Sequence, residues 1–526
     1  MDSACLHHTP DQGSGRGGDS LRNADAPPRP YGLRTRGPAG TRRALPPATV
    51  DGVGVRTVCT SVLVAALTAV VAVTIRIGGS EAHPRHLLYW YAAAWVLFAA
   101  AVWAVRKVPV RAAVVLVLVS SAALSLAALS GPPRTSSDMY RYAWDGGVQA
   151  AGISPYAHPP AAPELAGLRD RWLFPPGPDC PAPDLRAVGA DCTRINRPAV
   201  NTIYPPVAEG WFLAVHALSP DGARHKPTQI AGALLAVGTS AALLLVLRRR
   251  GDPRRAALWA WCPAVSFAAV NDAHVDTLGV LLTVLALGTS VLPRRGALLG
   301  AAIAVKLLPA VVLPGALARR GPRDAARVLV PAVLVIALAY LPYILTSGFG
   351  VLGYLPGYLQ EEGYESGSVR RFALLRLFLP DGVAAPVAVA LIALTALYVM
   401  RRGDPDRPWS GALLVTGTAL LLTSPSYYWY ALLVIALVAL DGRWEWLAVP
   451  LAGTVLYIGN AMGAHGSWLQ SWSYGTAAVT VLAGAALRAR AAGGGRASRP
   501  VPAGGQAGAD AFEAEPAEAG AGVTPR

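Results

Sequence analysis

The chain has 526 residues, 53% apolar and only 15% charged, with 46 basic against 31 acidic side chains and a formal net charge of +15. An average soluble domain carries about 25% charged residues. The composition therefore excludes an ordinary soluble enzyme, and the long Ala/Val/Leu runs exclude a disordered chain. Positive charge would suit nucleic acid only if it clustered on one soluble face. Here it is spread between apolar runs, so no nucleic-acid partner is expected. Three of the basic residues are lysines: Lys107, Lys226 and Lys306.

Residues 1–56 hold eight Arg among many Gly and Pro and no apolar run, which predicts a disordered basic tail rather than a signal peptide. Residues 57–488 predict a transmembrane domain. Apolar runs lie near 57–75, 87–105, 110–129, 229–247, 256–271, 274–292, 326–346, 383–400, 409–424, 426–440, 444–462 and 472–488. About 20 apolar residues cross the hydrocarbon layer. Basic clusters set orientation by the positive-inside rule. The tail, Arg106/Lys107/Arg111, Arg248–Arg250, Arg294/Arg295, Arg319/Arg320/Arg323, Arg401/Arg402 and Arg488/Arg490 are all expected in the cytoplasm. Both termini then lie inside a multi-pass protein of the cell membrane. Residues 297–317 carry Arg on both flanks. A re-entrant hairpin with Lys306 and Pro309 near its turn keeps both flanks on one side, and broken helices are tolerated at that depth inside protein. Residues 489–526 return to Gly, Ala, Arg and Glu, a second predicted cytoplasmic tail. The expected fold is an all-α polytopic membrane protein of about 12 transmembrane helices plus the hairpin.

This orientation leaves two long segments outside, 130–228 and 347–381. The first balances nine basic against nine acidic residues, unlike the basic inner turns. Within it, 203–218 predicts a helix lying at the interface, with Trp211 and His216 at headgroup level. Cys180 and Cys192 stand twelve residues apart in this loop, and an oxidising exterior predicts a disulfide between them. Cys59 and Cys262 fall in spans and read as small apolar residues.

Several patterns carry candidate chemistry. Ser136-Ser137-Asp138-Met139-Tyr140-Arg141-Tyr142-Ala143-Trp144-Asp145 opens the large outer loop. On a helix, Asp138, Arg141, Tyr142 and Asp145 share one face. A carboxylate can take a hydroxyl proton and Arg can clamp phosphate; a capped interfacial helix with an internal ion pair accounts for the same residues. Asn271-Asp272-Ala273-His274-Val275-Asp276 lies between two apolar runs, where ionisable residues are functional candidates by default. A polar turn capping two helices is the alternative. With a single His present, no metal site is assigned. Lys306 sits in an apolar run, where a charge costs about 2.5–3.5 kcal/mol on insertion scales, so an anionic partner is expected. Tyr427-Tyr428-Trp429-Tyr430 reads as an aromatic belt or a sugar-stacking wall. Arg370 and Arg371, in the second outer loop, either meet phosphate or are solvated. No Walker loop and no G-x-G-x-x-G site is present, which argues against ATP-driven transport.

The run SSDMYRYAWDGGVQAAGISPYAHPP, residues 136–160, resembles the first outer loop of GT-C superfamily integral-membrane glycosyltransferases. More narrowly, it is similar to bacterial polyprenyl-phosphate-mannose-dependent mannosyltransferases and to glycosyltransferase family 87. The likeness runs over about 87–470, through CTRINRPAVNTIYPPVAE (192–209), HVDTLGVLL (274–282), AVKLLPAVVLP (304–314) and SPSYYWYALL (424–433). It implies Asp138 as the general base, with Ser137 where many relatives carry a second acid. It implies Arg141 near the donor phosphate or orienting Asp138, and His274 and Asp276 lining the cavity. Lys306 would neutralise the donor phosphate, and Tyr427, Tyr428 and Trp429 would wall the sugar or acceptor site. The implied reaction is inverting displacement at the anomeric carbon of a polyprenyl-phosphate sugar, onto a lipid or glycan acceptor, within membrane lipids. No cofactor is required and a divalent metal is optional. A polyprenyl-linked lipid transporter using the same cavity is the competing expectation.

Overall fold

Uninterrupted apolar runs form long helices here, and proline or polar turns decide where they stop. The computed structural model describes residues 50–78, 84–177, 179–180, 182, 185–355, 357–358, 371–464 and 467–497. It is mostly helical, at 73%. The first three helices, α1 (Val50–Ile77), α2 (Pro84–Val105) and α3 (Val110–Ala128), pack on one another. The segment after α3 then folds as α4 (Asp138–Ala150), a hairpin of β1 (Arg186–Val188) and β2 (Asp191–Thr193), and α5 (Pro206–Ala217). In the hairpin Ala187 stands opposite Cys192. Cys180 and Cys192 are joined by a disulfide with their Cα atoms 5.6 Å apart. The chain re-enters the bundle with α6 (Lys226–Arg250), followed by the short α7 (Ala257–Ala260).

Next come α8 (Asp276–Gly288), α9 (Leu292–Ile303), the short α10 (Leu313–Ala316) and α11 (Pro322–Ser347). The last group is α12 (Asp381–Arg402), α13 (Pro408–Thr423), α14 (Leu432–Asp441), α15 (Ala448–Ala461) and α16 (Ser467–Ala497). Every residue of α14 is buried, as expected of a helix that is apolar all round and sits at the centre of the bundle.

Among the described residues, six helices are long and apolar enough to cross a membrane: Gly54–Ile77, Arg85–Val105, Val110–Ala128, Lys226–Arg250, Pro322–Leu352 and Asp381–Arg402. Val265–Asn271 and Asp276–Gly288 would make a seventh, bent by 112°. Of the other apolar runs, 472–488 lies within the 31-residue α16, and several become shorter or broken elements, such as Pro408–Thr423 and Tyr428–Asp441. Local causes are visible. Pro263 and the Asn271-Asp272 pair interrupt one run, and Ser424, at φ 47°, ends another just before Pro425. Apolar side chains on α11 and α12 face outward, with Leu338 65%, Leu345 78% and Leu394 61% exposed. In water such surface would be a liability; against lipid tails it is solvated.

The segment 297–317 folds as a rise and a return. Gly296 lies against the Val328 carbonyl and Gly300 against that of Ala332, so α9 and α11 run parallel in close contact. Small residues four apart permit such backbone approach. The chain between them must double back, through α10, to start α11 at the level where α9 began. Arg295 accordingly feels the charge of Arg320. Both Arg-bearing flanks stand at one end, which is the arrangement a hairpin requires.

Candidate functional site

The site is assembled where the segment between α3 and α4 meets the break between residues 271 and 276. Asp272 accepts the backbone N–H groups of Arg134 and Thr135 at 3.0 Å each and also the Thr135 hydroxyl. Asn271 donates to the carbonyls of Ala128 and Pro132, both at 3.0 Å. Gln229 ties Gly131 to Asn271 through their carbonyls. Thr135 also meets the Tyr428 hydroxyl at 2.9 Å, and its carbonyl accepts from Tyr457. These bonds hold residues 128–135 rigidly and so aim the start of α4.

Asp138 is the first residue of α4, and its side chain is 21% exposed. Asn196 donates to its Oδ1 at 2.7 Å. The Nδ1 of His274 lies 3.6 Å from Oδ2. Burial pushes the Asp138 carboxyl above the usual aspartate range, against the opposing pull of the Asn196 hydrogen bond and the Lys306 charge. His274 is 1% exposed, and neither ring nitrogen has a hydrogen-bond partner among the described residues. Its ring stacks on Trp429 at 4.1 Å, and Trp429 stacks on Tyr427 at 4.7 Å.

Lys306 Nζ reaches Asp276 Oδ2 at 2.7 Å and sits 4.7 Å over the Tyr430 ring. The anionic partner required by a lysine in an apolar run is therefore Asp276. Lys306 also opens onto the same cavity as Asp138.

That cavity has a volume of about 1280 Å³. Its polar lining includes Asp138, Asn196, Arg134, Arg141, Arg186, Arg194, Arg197, Arg224 and Lys306. Six arginines and one lysine thus line the cavity that holds this one carboxylate, and Lys306 and Arg197 act on it electrostatically. Tyr427, Trp429, Tyr430 and Tyr457 form an aromatic wall. Its apolar lining includes Leu307, Leu308, Val311, Ile392 and Leu420, residues of α12, α13 and the return segment before α10.

Other residues singled out in the sequence lie elsewhere. Arg141 lines the cavity, but its Nε donates to both Asp145 oxygens, at 2.8 and 3.0 Å, and its Nη1 to the Val200 carbonyl. Its role as a free phosphate clamp is thus curtailed by an internal partner. Asp145 is 1% exposed beneath it. Tyr142 turns away and stacks on Phe212 at 4.5 Å. Tyr428 is buried behind the aromatic wall and does not line the cavity. Arg371 is fully buried and acts electrostatically on Tyr358 and Tyr430. Arg370 lies outside the described residues. Among the described residues no group of three or more His, Cys, Asp or Glu side chains is placed to hold a metal ion.

Asn196, Arg194, Arg197 and Tyr457 were not distinguishable from the sequence, because they approach Asp138 only through tertiary folding. Asn196 and its neighbours do fall in the quoted run 192–209, which was the one available signal. Glu209 was equally hidden. It is fully buried, accepts from Thr202 at 2.7 Å and from Gln149 at 3.0 Å, and burial pushes its carboxyl well above the usual range.

No curated protein and no solved structure matches the chain. A family model does match over residues 202–425, which takes in His274, Asp276 and Lys306, stops at Pro425 and leaves Asp138 outside. With the charged cavity in view, this match, to glycosyltransferase family 87, indicates a glycosyltransferase and is consistent with a membrane enzyme of the GT-C type.

Proposed function

We propose that the chain moves a hexose, mannose in our reading, from a polyprenyl-phosphate sugar to a cell-envelope glycolipid or glycan at the outer face of the cell membrane. One observation carries the proposal: a single cavity combines apolar and aromatic side chains with six arginines, one lysine and one carboxylate. A prenyl chain suits the former and a sugar phosphate the latter. The family match supports transfer of a sugar; the donor, the acceptor and the membrane face are our inference.

In this mechanism an acceptor hydroxyl hydrogen-bonds to Asp138. Its oxygen attacks the anomeric carbon from the side opposite the phosphate, and its proton passes to the carboxylate. The bond between the anomeric carbon and the phosphate oxygen breaks, and the phosphate departs with the electron pair. Lys306 and the lining arginines stabilise that charge in place. Asn196 holds the carboxylate in position. His274 lies against Trp429 and borders Asp138, and Trp429 and Tyr427 give the sugar a flat face. The proposal needs no nucleotide and no redox cofactor.

The test uses the full chain in nanodiscs with radiolabelled polyprenyl-phosphate mannose, glucose and galactose as donors and an octyl mannoside acceptor. Transfer from one donor that is lost in Asp138→Asn is the expected result. Undiminished transfer in that variant would reject Asp138 as base. Undiminished lipid translocation without any transfer, in wild type and variant alike, would favour the transporter.

A further inference from the structure

A second cavity of about 560 Å³ lies beside α4, against α5 and the first turns of α6. The transfer step above makes no use of it. Its volume is within the roughly 300–1,000 Å³ of small-molecule sites. Its walls include Trp144, Trp172 and Trp211, and its rim carries Asp170, Asp221 and Arg224. Trp172 and Arg224 line the Asp138 cavity as well, so the two spaces adjoin at those residues.

The chemistry of the two spaces differs. The main cavity gathers cations and an aliphatic wall. The second offers indole faces and two carboxylates with a single arginine. Two carboxylates disfavour a phosphate, and they have no use for a prenyl tail. They do suit a polyhydroxylated ligand. An indole presents a broad apolar face to the C–H side of a pyranose, and a carboxylate accepts hydrogen bonds from hydroxyls. The turn that carries Trp172 is fixed locally: its backbone N–H and that of Leu173 both donate to Asp170 Oδ1, at 2.7 and 2.9 Å. The Asp170 side chain keeps a second oxygen for a ligand. Trp172 and Trp211 are both half-buried and line the cavity.

We infer that this second cavity is an acceptor subsite for neutral sugar residues, which binds a glycan chain whose terminal hydroxyl reaches Asp138 past Trp172 and Arg224. The inference rests on the transferase reading of the Asp138 cavity. It makes an oligosaccharide, or a lipid bearing one, a better acceptor than a single sugar such as octyl mannoside.

The test is calorimetric binding of mannose, mannobiose and mannotriose, with cellotriose beside them, to the full chain in nanodiscs without donor. A dissociation constant at least tenfold lower for a trisaccharide than for mannose is expected. Trp211→Ala should remove most of that gain, and Asp221→Asn, on an exposed turn, should remove at least threefold of it without disturbing the core. Equal affinity for mannose and both trisaccharides overturns the inference, as does a gain that survives intact in both variants. A cavity filled by a lipid chain would give the first of these results. Because binding is read without donor, a chain that binds trisaccharide but transfers nothing would count against the proposed function and leave the saccharide site standing.

Discussion

Asp138 and Asp145 lie on the same helix, two turns apart, yet have opposite surroundings. Asp138 has one neutral hydrogen-bond donor, Asn196, and opens to a cavity rich in cations. Asp145 is gripped through both oxygens by Arg141 and sits beside the buried Glu209. Asp145 has spent its charge on holding α4 to its neighbours, whereas Asp138 keeps its charge available. The difference teaches that position on a helix face does not make a carboxylate reactive; the number of committed partners decides. In the closed cluster one guanidinium serves two carboxyls. Burial raises both, and the neighbouring Asp145 charge adds to the rise of Glu209.

The largest effect should come from the open carboxylate. Asp138→Asn is expected to lower kcat for sugar transfer by about 10²–10⁴-fold, the usual worth of a general base, with little change in thermal stability. The proton acceptor must be ionised, and burial raises its pKa. The wild-type kcat/KM should therefore fall as pH drops through a value above the ordinary aspartate pKa of about 3.9. A flat acid limb down to that value would erase the contrast between the two aspartates.

Lys306→Met should raise the donor KM about 10- to 100-fold, the value of one charged hydrogen bond. It also leaves Asp276 buried without its partner. The double variant Lys306→Met/Asp276→Asn should regain the lost folding stability but not the donor affinity. Recovery of both would mean that Lys306 serves only Asp276.

The closed cluster should respond in stability instead. Arg141→Met leaves Asp145 buried and unpaired and is expected to cost about 3–5 kcal/mol of folding stability, read as a lower unfolding temperature in detergent. Smallest of all should be Glu209→Gln. Burial disfavours the charged form of Glu209, and Gln is a neutral group of the same shape that can still donate and accept, so this change should cost under about 1 kcal/mol. Glu209→Ala, which strands Thr202 and Gln149, should cost clearly more. Equal losses in Gln and Ala would show that Glu209 is ionised and would redraw the cluster.

Much of the bundle is legible from sequence because hydrocarbon imposes a simple rule on composition. Apolar runs and the arginines between them mark the crossing elements and the turns. Long unbroken runs such as 54–77 become full-length helices. The runs broken by Pro263, Asn271-Asp272 and Ser424-Pro425 do not, because a proline or a buried polar turn ends a helix more strongly than apolarity extends it. The candidate site is legible only in part. Asp138, His274, Lys306 and Trp429 stand out as polar or aromatic residues at membrane depth, and the fold brings them to adjacent positions. Arg141 and Tyr428 look identical in kind, but one is occupied by Asp145 and the other lies behind the wall.

The sequence by itself determined the class of molecule, the apolar segments and the short list of charges out of place in them, since each follows from local composition and the cost of burying charge. Tertiary structure alone decided which of those charges are neutralised and which face the cavity. Lys306 meets Asp276 across 30 residues, Asn196 meets Asp138 across 58, and Asp272 pins Thr135 across 137. Pairings at such separations depend on how helices pack, and no local pattern encodes them.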